Sequence, residues 1–267
     1  MRWAFRGGRA VIFLSLCSWC GPHAAAAEGA GAVAASGPRL VALVADFAES
    51  CSYSRRCLGL RAAEWTQALL SPTGRWEMVP RPQVIAASLA LGPQGPVMAV
   101  DDLQRLADRL GAHLVVSGVV SKTTLNERSG TVALEVRVEL TEAASGELLS
   151  AVSGGGSARA NRQQPLPTDV LVEEGLREAC RAAVTRLTAS RPVSGSVLAR
   201  TGDRELLVSV GSKAGLRPGR VVIARLREGI LRTFGVAEVR KVEAERATAL
   251  IVASTDAPRL EDLVIVP

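Results

Sequence analysis

Beyond Ser190, Arg191 and Pro192 the chain stops placing apolar residues at helical spacing. Residues 193–267 carry short β-rich runs at 196–199, 205–210, 221–225, 234–242, 248–252 and 263–266, each bounded by turn-forming residues. Such runs hide their apolar sides only by closing or stacking a sheet on itself, which predicts a small all-β barrel or sandwich. Upstream, residues 39–189 mix helical and strand periods. The fold class is therefore α+β: a mixed-sheet α/β domain over 39–189, a linker at 190–192, and a β domain over 193–267.

Within the first of these, RLVALVAD (39–46) carries aliphatic residues almost continuously, from Leu40 to Ala45, and reads as a largely buried strand. Leu58, Ala62, Trp65 and Leu69 give a helix face that 71–74 terminates, and 75–79 reads as a short strand that Pro80 and Pro82 break. Asp101 is placed to cap a helix bearing Leu103, Leu106, Ala107 and Leu110, with Gly111 just past its end. AHLVVSGVV (112–120) follows as a buried strand, where Gly118 predicts a close backbone approach. Val132, Leu134, Val136, Val138 and Leu140 then alternate with Ala133, Glu135, Arg137 and Glu139, as in an antiparallel strand with one wet face. A turn at 144–146 leads into 147–152 and completes a meander, and 153–167, opening with three glycines, reads as a loop. A helix with Thr168 or Asp169 as its cap carries Val172, Leu176, Cys180, Ala183 and Leu187.

The N-terminus combines Arg2, Arg6 and Arg9 with the apolar run 10–17 and an Ala-rich stretch, the pattern of an export signal over 1–27 cut between Ala27 and Glu28. Residues 28–38 read as a flexible leader. Cys17 follows Leu16 and Cys20 follows Trp19, so neither has the small preceding residue of a lipid-anchor signal, and lipidation is not expected. Removing 1–27 takes three arginines and no acid, leaving 29 basic against 26 acidic residues, +3 in place of +6. That balance, with Phe47, Tyr53, Trp65, Trp76 and Phe234 dispersed along the chain, does not make a stacking platform, so no nucleic-acid partner is expected. In an oxidising compartment Cys51 and Cys57 are spaced to close a small disulfide loop. Cys180 sits at a core spacing and reads as a buried thiol.

VGSKAGLRPGR (210–220) poses the question of a phosphate cradle. A P-loop needs a helix directly after its glycines, whereas residues 220–225 alternate like a strand. Gly211, Gly215 and Gly219 are therefore read as structural loop glycines and Lys213 as an exposed side chain. His113 stands alone after the signal and reads as a structural histidine rather than a metal ligand or base. Asp101 with Asp102, and Glu173 with Glu174, read as first-turn helix charges. Arg55 and Arg56 read as a solvated helix start. No catalytic, cofactor-binding or metal-binding residue is assigned.

The order of elements, the run LADRLGAHLVVSGVV and the hairpin EVRVELTEAASGELLSAV resemble the domain shared by CsgG-like secretion lipoproteins, the LpoB activators, the TolB N-terminal domain and the middle domain of FlgT. LLVSVGSKAGLRPGRVVIAR and LEDLVIVP resemble the FlgT C-terminal domain, with Arg220 where that family has an acid and Glu261 with Asp262 where it often has Gly-Asp. The resemblance implies a periplasmic, envelope-associated assembly or scaffold protein acting by protein–protein interaction. Its partner would be an envelope protein, in peptidoglycan-associated or outer-membrane machinery, with homo-oligomerisation left open. Two alternatives stand beside it: a small-substrate envelope enzyme using carboxylates, and an outer-membrane secretion-pore accessory.

Overall fold

The aliphatic run at 40–45 supplies the strand on which the α/β half is built. The structure, a computed structural model, describes residues 39–50, 57–92, 98–126, 129–160 and 167–267, which lie in one compact unit. In chain order these form β1 (Val41–Val44), β2 (Ala48–Glu49), α1 (Leu58–Leu70), β3 (Glu77–Met78), α2 (Arg81–Ala90), α3 (Val100–Leu110), β4 (Leu114–Asn126), β5 (Thr131–Glu142), β6 (Leu148–Arg159) and α4 (Thr168–Leu187). The β half continues as β7 (Ser194–Thr201), β8 (Glu205–Val208), β9 (Gly219–Arg227), β10 (Ile230–Val242), β11 (Ala247–Ser254) and β12 (Leu263–Ile265). The chain is α+β, a mixed sheet with helices followed by a closed barrel.

The mixed sheet runs β3-β1-β4-β5-β6, parallel across β3, β1 and β4 and antiparallel from β4 to β6. β1 is buried on both faces because alternate residues meet different helices. Ala42 and Val44 join a core with Leu58 and Ala62 of α1 and Leu176 of α4, whereas Leu43 and Ala45 join Val84 of α2 and Leu106 of α3. The two pairs of helices therefore lie on opposite faces of the sheet.

Two segments depart from their sequence pattern. Pro80 and Pro82 do not end regular structure: Pro80 precedes α2 and Pro82 lies in its first turn, where a missing N–H costs nothing. Nor is 153–157 a loop. β6 runs straight through Gly154, Gly155 and Gly156, paired with Val136, Glu135 and Leu134. The reason lies in α4, which packs onto this strand. A Cβ on Gly154 would stand 2.1 Å from the Ala179 carbonyl oxygen, and one on Gly156 2.1 Å from that of Gly175. Smaller corrections concern caps. Ala99, not Asp101, precedes α3, and Asp101 and Asp102 lie within its first turn. Pro167 precedes α4, where Thr168 and Asp169 are already helical, and Glu173 stands beyond the first turn.

The barrel closes in the order β10-β11-β8-β7-β12-β9, every pairing antiparallel. Val197, Leu206, Val208, Ile223, Phe234, Val239 and Val264 fill its interior. Its outer surface is not all wet: Val222, Ala224, Leu231, Val236 and Ile265 share a core with the α/β half. Polar contacts frame that seam. Arg220 binds Glu147 at 3.0 Å and the Leu148 carbonyl, and Arg75 reaches the hydroxyl of Ser190 at 2.9 Å and the carbonyl of Pro267. His113 uses both ring nitrogens there. Nδ1 accepts the Val41 N–H at 3.0 Å, so Nε2 carries the proton and donates to the Leu231 carbonyl at 2.7 Å.

Cys180 is fully buried on α4, its thiol 3.7 Å from the Ala62 carbonyl oxygen. Burial pushes its pKa up to about 11 from 9.0. Because the folded value is the higher one, the thiol's contribution to stability is complete below pH 9.0 and lost as pH rises through about 11. Iodoacetamide at neutral pH is expected to leave Cys180 unmodified in the native protein and to alkylate it in urea, as peptide mapping would report. Equal modification in both states would contradict the burial.

Candidate functional site: a cleft at the carboxyl end of the first strand

β1 is the point at which the chain changes direction across the sheet. The connection to β3 on one side uses α1 on one face, and the return to β4 on the other side uses α2 and α3 on the opposite face. The carboxyl ends of strands at such a switch point form a crevice. Here the crevice is enlarged by an irregularity: β1 pairs Val44 with Val116, but β2 pairs Ala48 with Val119, so one extra residue is inserted before β2. Phe47 turns into the core against Gly118, where a Cβ would come within 2.6 Å of its ring, and Asp46 lines the cleft.

The resulting cleft has a volume of about 370 Å³ and lies between β4, β5 and α3. Val115, Val119, Leu103 and Met98 supply apolar wall, and Val100 and Leu148, both exposed, add apolar surface. Gln104 of α3 donates to the Ala144 carbonyl at 3.3 Å and ties the helix to the β5–β6 turn. Three carboxylates line the cleft, and each is held by a neighbour. Asp46 is paired with Arg81, whose other nitrogen donates to the Val44 carbonyl at 2.7 Å. Burial pulls the Arg81 pKa below its ordinary value. Glu139 is paired with Arg137 at 2.9 Å. Glu142, fully buried, accepts from the N–H groups of Ala144 (3.2 Å) and Ser145 (2.7 Å) and from the Ser145 hydroxyl (2.6 Å). Each of the three acids is thus engaged by a neighbouring donor.

The residues singled out in the sequence lie elsewhere. In the 210–220 loop the amides of residues 212–216 are all engaged: Ser212 and Lys213 donate to the Glu243 and Ala244 carbonyls at 2.8 and 3.0 Å, Ala214 and Leu216 to Gly211, and Gly215 to Ser212. Amides so engaged cannot cradle an anion. Gly211 packs against 243–244, where a Cβ would be 2.4 Å from the Glu243 oxygen. Gly215 has φ 91°, and Gly219 is the first residue of β9. Lys213 points to solvent beside Glu245. Glu173 accepts the Trp65 indole N–H at 2.6 Å and faces Arg61 at 3.3 Å, which joins α1 to α4.

Cys57 is exposed just before α1, and no disulfide occurs among the described residues. Its expected partner Cys51 lies outside them, as do Arg55, Arg56, the 1–27 segment with Ala27 and Glu28, and residues 28–38. Among the described residues no group of three or more His, Cys, Asp or Glu could hold a metal ion, and no helix is long and apolar enough to cross a membrane.

No family model and no curated protein matches the chain. Solved structures do. The LpoB C-terminal domain from Salmonella enterica is 20% identical over 43% of this chain and 81% of its own, with a TM-score of 0.32. Lipoprotein GNA1162 from Neisseria meningitidis is 15% identical over 49% and 90%, with a TM-score of 0.38. A PelC dodecamer from Paraburkholderia phytofirmans is 17% identical over 58% and 93%, with a TM-score of 0.36. At these scores no functional property is carried over from them.

Sequence inspection assigned no role to Asp46, Gln104, Glu139 or Glu142 in a cleft. One signal was present: Asp46 ends an otherwise apolar strand, and a charge at the carboxyl end of a buried strand marks the rim of an α/β sheet.

Proposed function

We propose that the protein is an exported, envelope-associated assembly factor that works by binding another protein along the outer edge of β6. The observation that carries this is the edge itself. β6 ends the sheet order, is 12 residues long, and among the described residues pairs only with β5. Long uncovered edges template the addition of a further strand unless something blocks them. Arg220 caps the outward Leu148 carbonyl and Arg186 the outward Ser153 carbonyl. By the two-residue repeat of a strand, Gly155 and Ser157 aim their backbone groups the same way as Ser153. Among the described residues none caps them, and both are exposed. The edge is thus blocked along one half and open along the other.

The arginine-flanked apolar run at the N-terminus supports export. We read 39–189 and 193–267 as the two domains of an assembly factor of the FlgT-like order, joined by 190–192. The test is a photo-crosslinking side chain at Ser157, with Arg200 on the barrel exterior as the control site. In intact cells Ser157 is expected to give one discrete protein adduct in the envelope fraction that Arg200 does not give. Identical adduct patterns from both sites, or none from Ser157, would refute the edge as the binding surface.

A further inference from the structure

We propose that the cleft between β4, β5 and α3 binds a small molecule that carries an ammonium or guanidinium group on an apolar body. This site is separate from the β6 edge and stands or falls independently of it. Three observations define the chemistry of the occupant. The volume, about 370 Å³, falls at the lower end of the range for small-molecule sites. Its walls are mainly aliphatic, and Val100 and Leu148 remain 55% and 37% exposed beside it, apolar surface that a bound hydrocarbon would cover. Among the described residues, all the charged ones in its lining are acids: Asp46, Glu139 and Glu142.

The acids can be reached at different costs. Glu139 is 36% exposed and its partner Arg137 51%, a surface pair that exchanges partners cheaply, whereas Asp46 is 53% exposed but its partner Arg81 only 12%. Glu139 can turn to a ligand cation, and Asp46 can accept from one while keeping Arg81. Glu142 stays fixed by three donors, two on one oxygen and one on the other, which leaves one acceptor position on Oε1 for a further N–H. Among the described residues the lining contributes three carboxylates and no cation, and the Arg81 and Arg137 guanidiniums that pair with two of them lie outside it, so an anionic ligand would meet acceptors rather than donors. A purely apolar ligand would exclude water from the wall hydroxyl groups of Ser117 and Thr141.

The probe is n-octylammonium, with octanol and octanoate as chain-matched neutral and anionic controls, titrated into the full chain and followed through backbone amide resonances. Saturable shifts are expected at Ser117, Gly118, Thr141 and Gly146, with the ammonium binding at least ~10-fold more tightly than either control, the scale of one charge-assisted contact. Asp46→Asn and Glu139→Gln, checked for unchanged thermal midpoints, should each weaken octylammonium severalfold and leave octanol unaffected. Val100→Lys, which places a cation at the cleft, should abolish ammonium binding. Equal affinities for the three probes, shifts confined to other surfaces, or indifference to all three substitutions would overturn the proposal. Tighter saturation of the same amides by a lysine- and leucine-rich pentapeptide would also overturn it, in favour of a polypeptide occupant.

Discussion

Replacing Gly156 with valine is expected to cost the protein about 3 kcal/mol or more, the upper range for forcing extra atoms into a packed contact. The added Cβ alone would lie 2.1 Å from the Gly175 carbonyl oxygen and 2.3 Å from the Ala179 amide nitrogen. Both are backbone atoms of α4, so no side-chain rotation relieves the overlap. The helix must lift. Lifting it exposes part of the buried face formed by Leu171, Val172 and Leu176, together with Ala179 and Ala183. Gly154→Val should behave alike, because its Cβ would meet Ala179 and Ala183 backbone at 2.1 and 2.4 Å. Gly155→Val supplies the control. It lies between them on the same strand, a Cβ there meets nothing within 4 Å, and a β-branched residue suits a strand. Urea denaturation midpoints should therefore fall sharply for residues 154 and 156 and stay level or rise for 155. A uniform loss across the three would mean that glycine matters for the strand and not for the helix contact.

The same contact explains why this part of the fold was hidden in the sequence. Three glycines in a row depress strand propensity locally, and the partners of Gly154 and Gly156, which are Gly175, Ala179 and Ala183, lie well further on, beyond any local window. α3 and α4 were legible because each buries one stripe at helical spacing, and β5 because Val132 to Leu140 alternates without interruption. α2 was not. Its prolines read as breaks, although the first turn of a helix has no N–H to lose. In the β half the strand positions followed from alternation, but the choice between barrel and sandwich did not. Closure depends on the three-residue β12 pairing β7 on one side and β9 on the other, a register set by long-range packing. The cleft was the least legible feature. It arises from an inserted residue between two short strands, which leaves no sequence signature, and from the 144–146 turn, whose position was legible but whose approach of Gly146 to Val100 and Gln104 of α3 was not.

Asp262→Ala is expected to destabilise the barrel by about 3 kcal/mol, at the low end of the cost of removing one member of a buried ion pair. Asp262 is 4% exposed and accepts two parallel bonds from Arg225, from Nε at 2.7 Å and from Nη2 at 2.8 Å, and a third from the Arg259 N–H at 2.7 Å. The Arg225 guanidinium also reaches Asp256 and the Ala257 carbonyl, and it stands 4.8 Å from the centre of the Phe234 ring. The bond to Asp262 is the largest of the influences that hold the Arg225 pKa above its ordinary value. These contacts anchor 256–262 onto β9 and hold Glu261 at φ 70°, a left-handed conformation that residues other than glycine seldom adopt. Without Asp262 the guanidinium keeps two weaker partners, which is why the loss falls at the low end. Asp256→Ala should cost little, because that carboxylate is exposed. The Asp256 pKa is depressed from 3.8, chiefly by its bond to Arg225, so its contribution is present above that value and lost as pH falls below it. Combining Asp262→Leu with Arg225→Met should recover most of the loss, since a packed apolar pair replaces a buried ionic one at little cost. Thermal unfolding of the variants decides the matter: equal losses for Asp256→Ala and Asp262→Ala, or no recovery in the double variant, would show that the ion pair is not what holds the last strand in place.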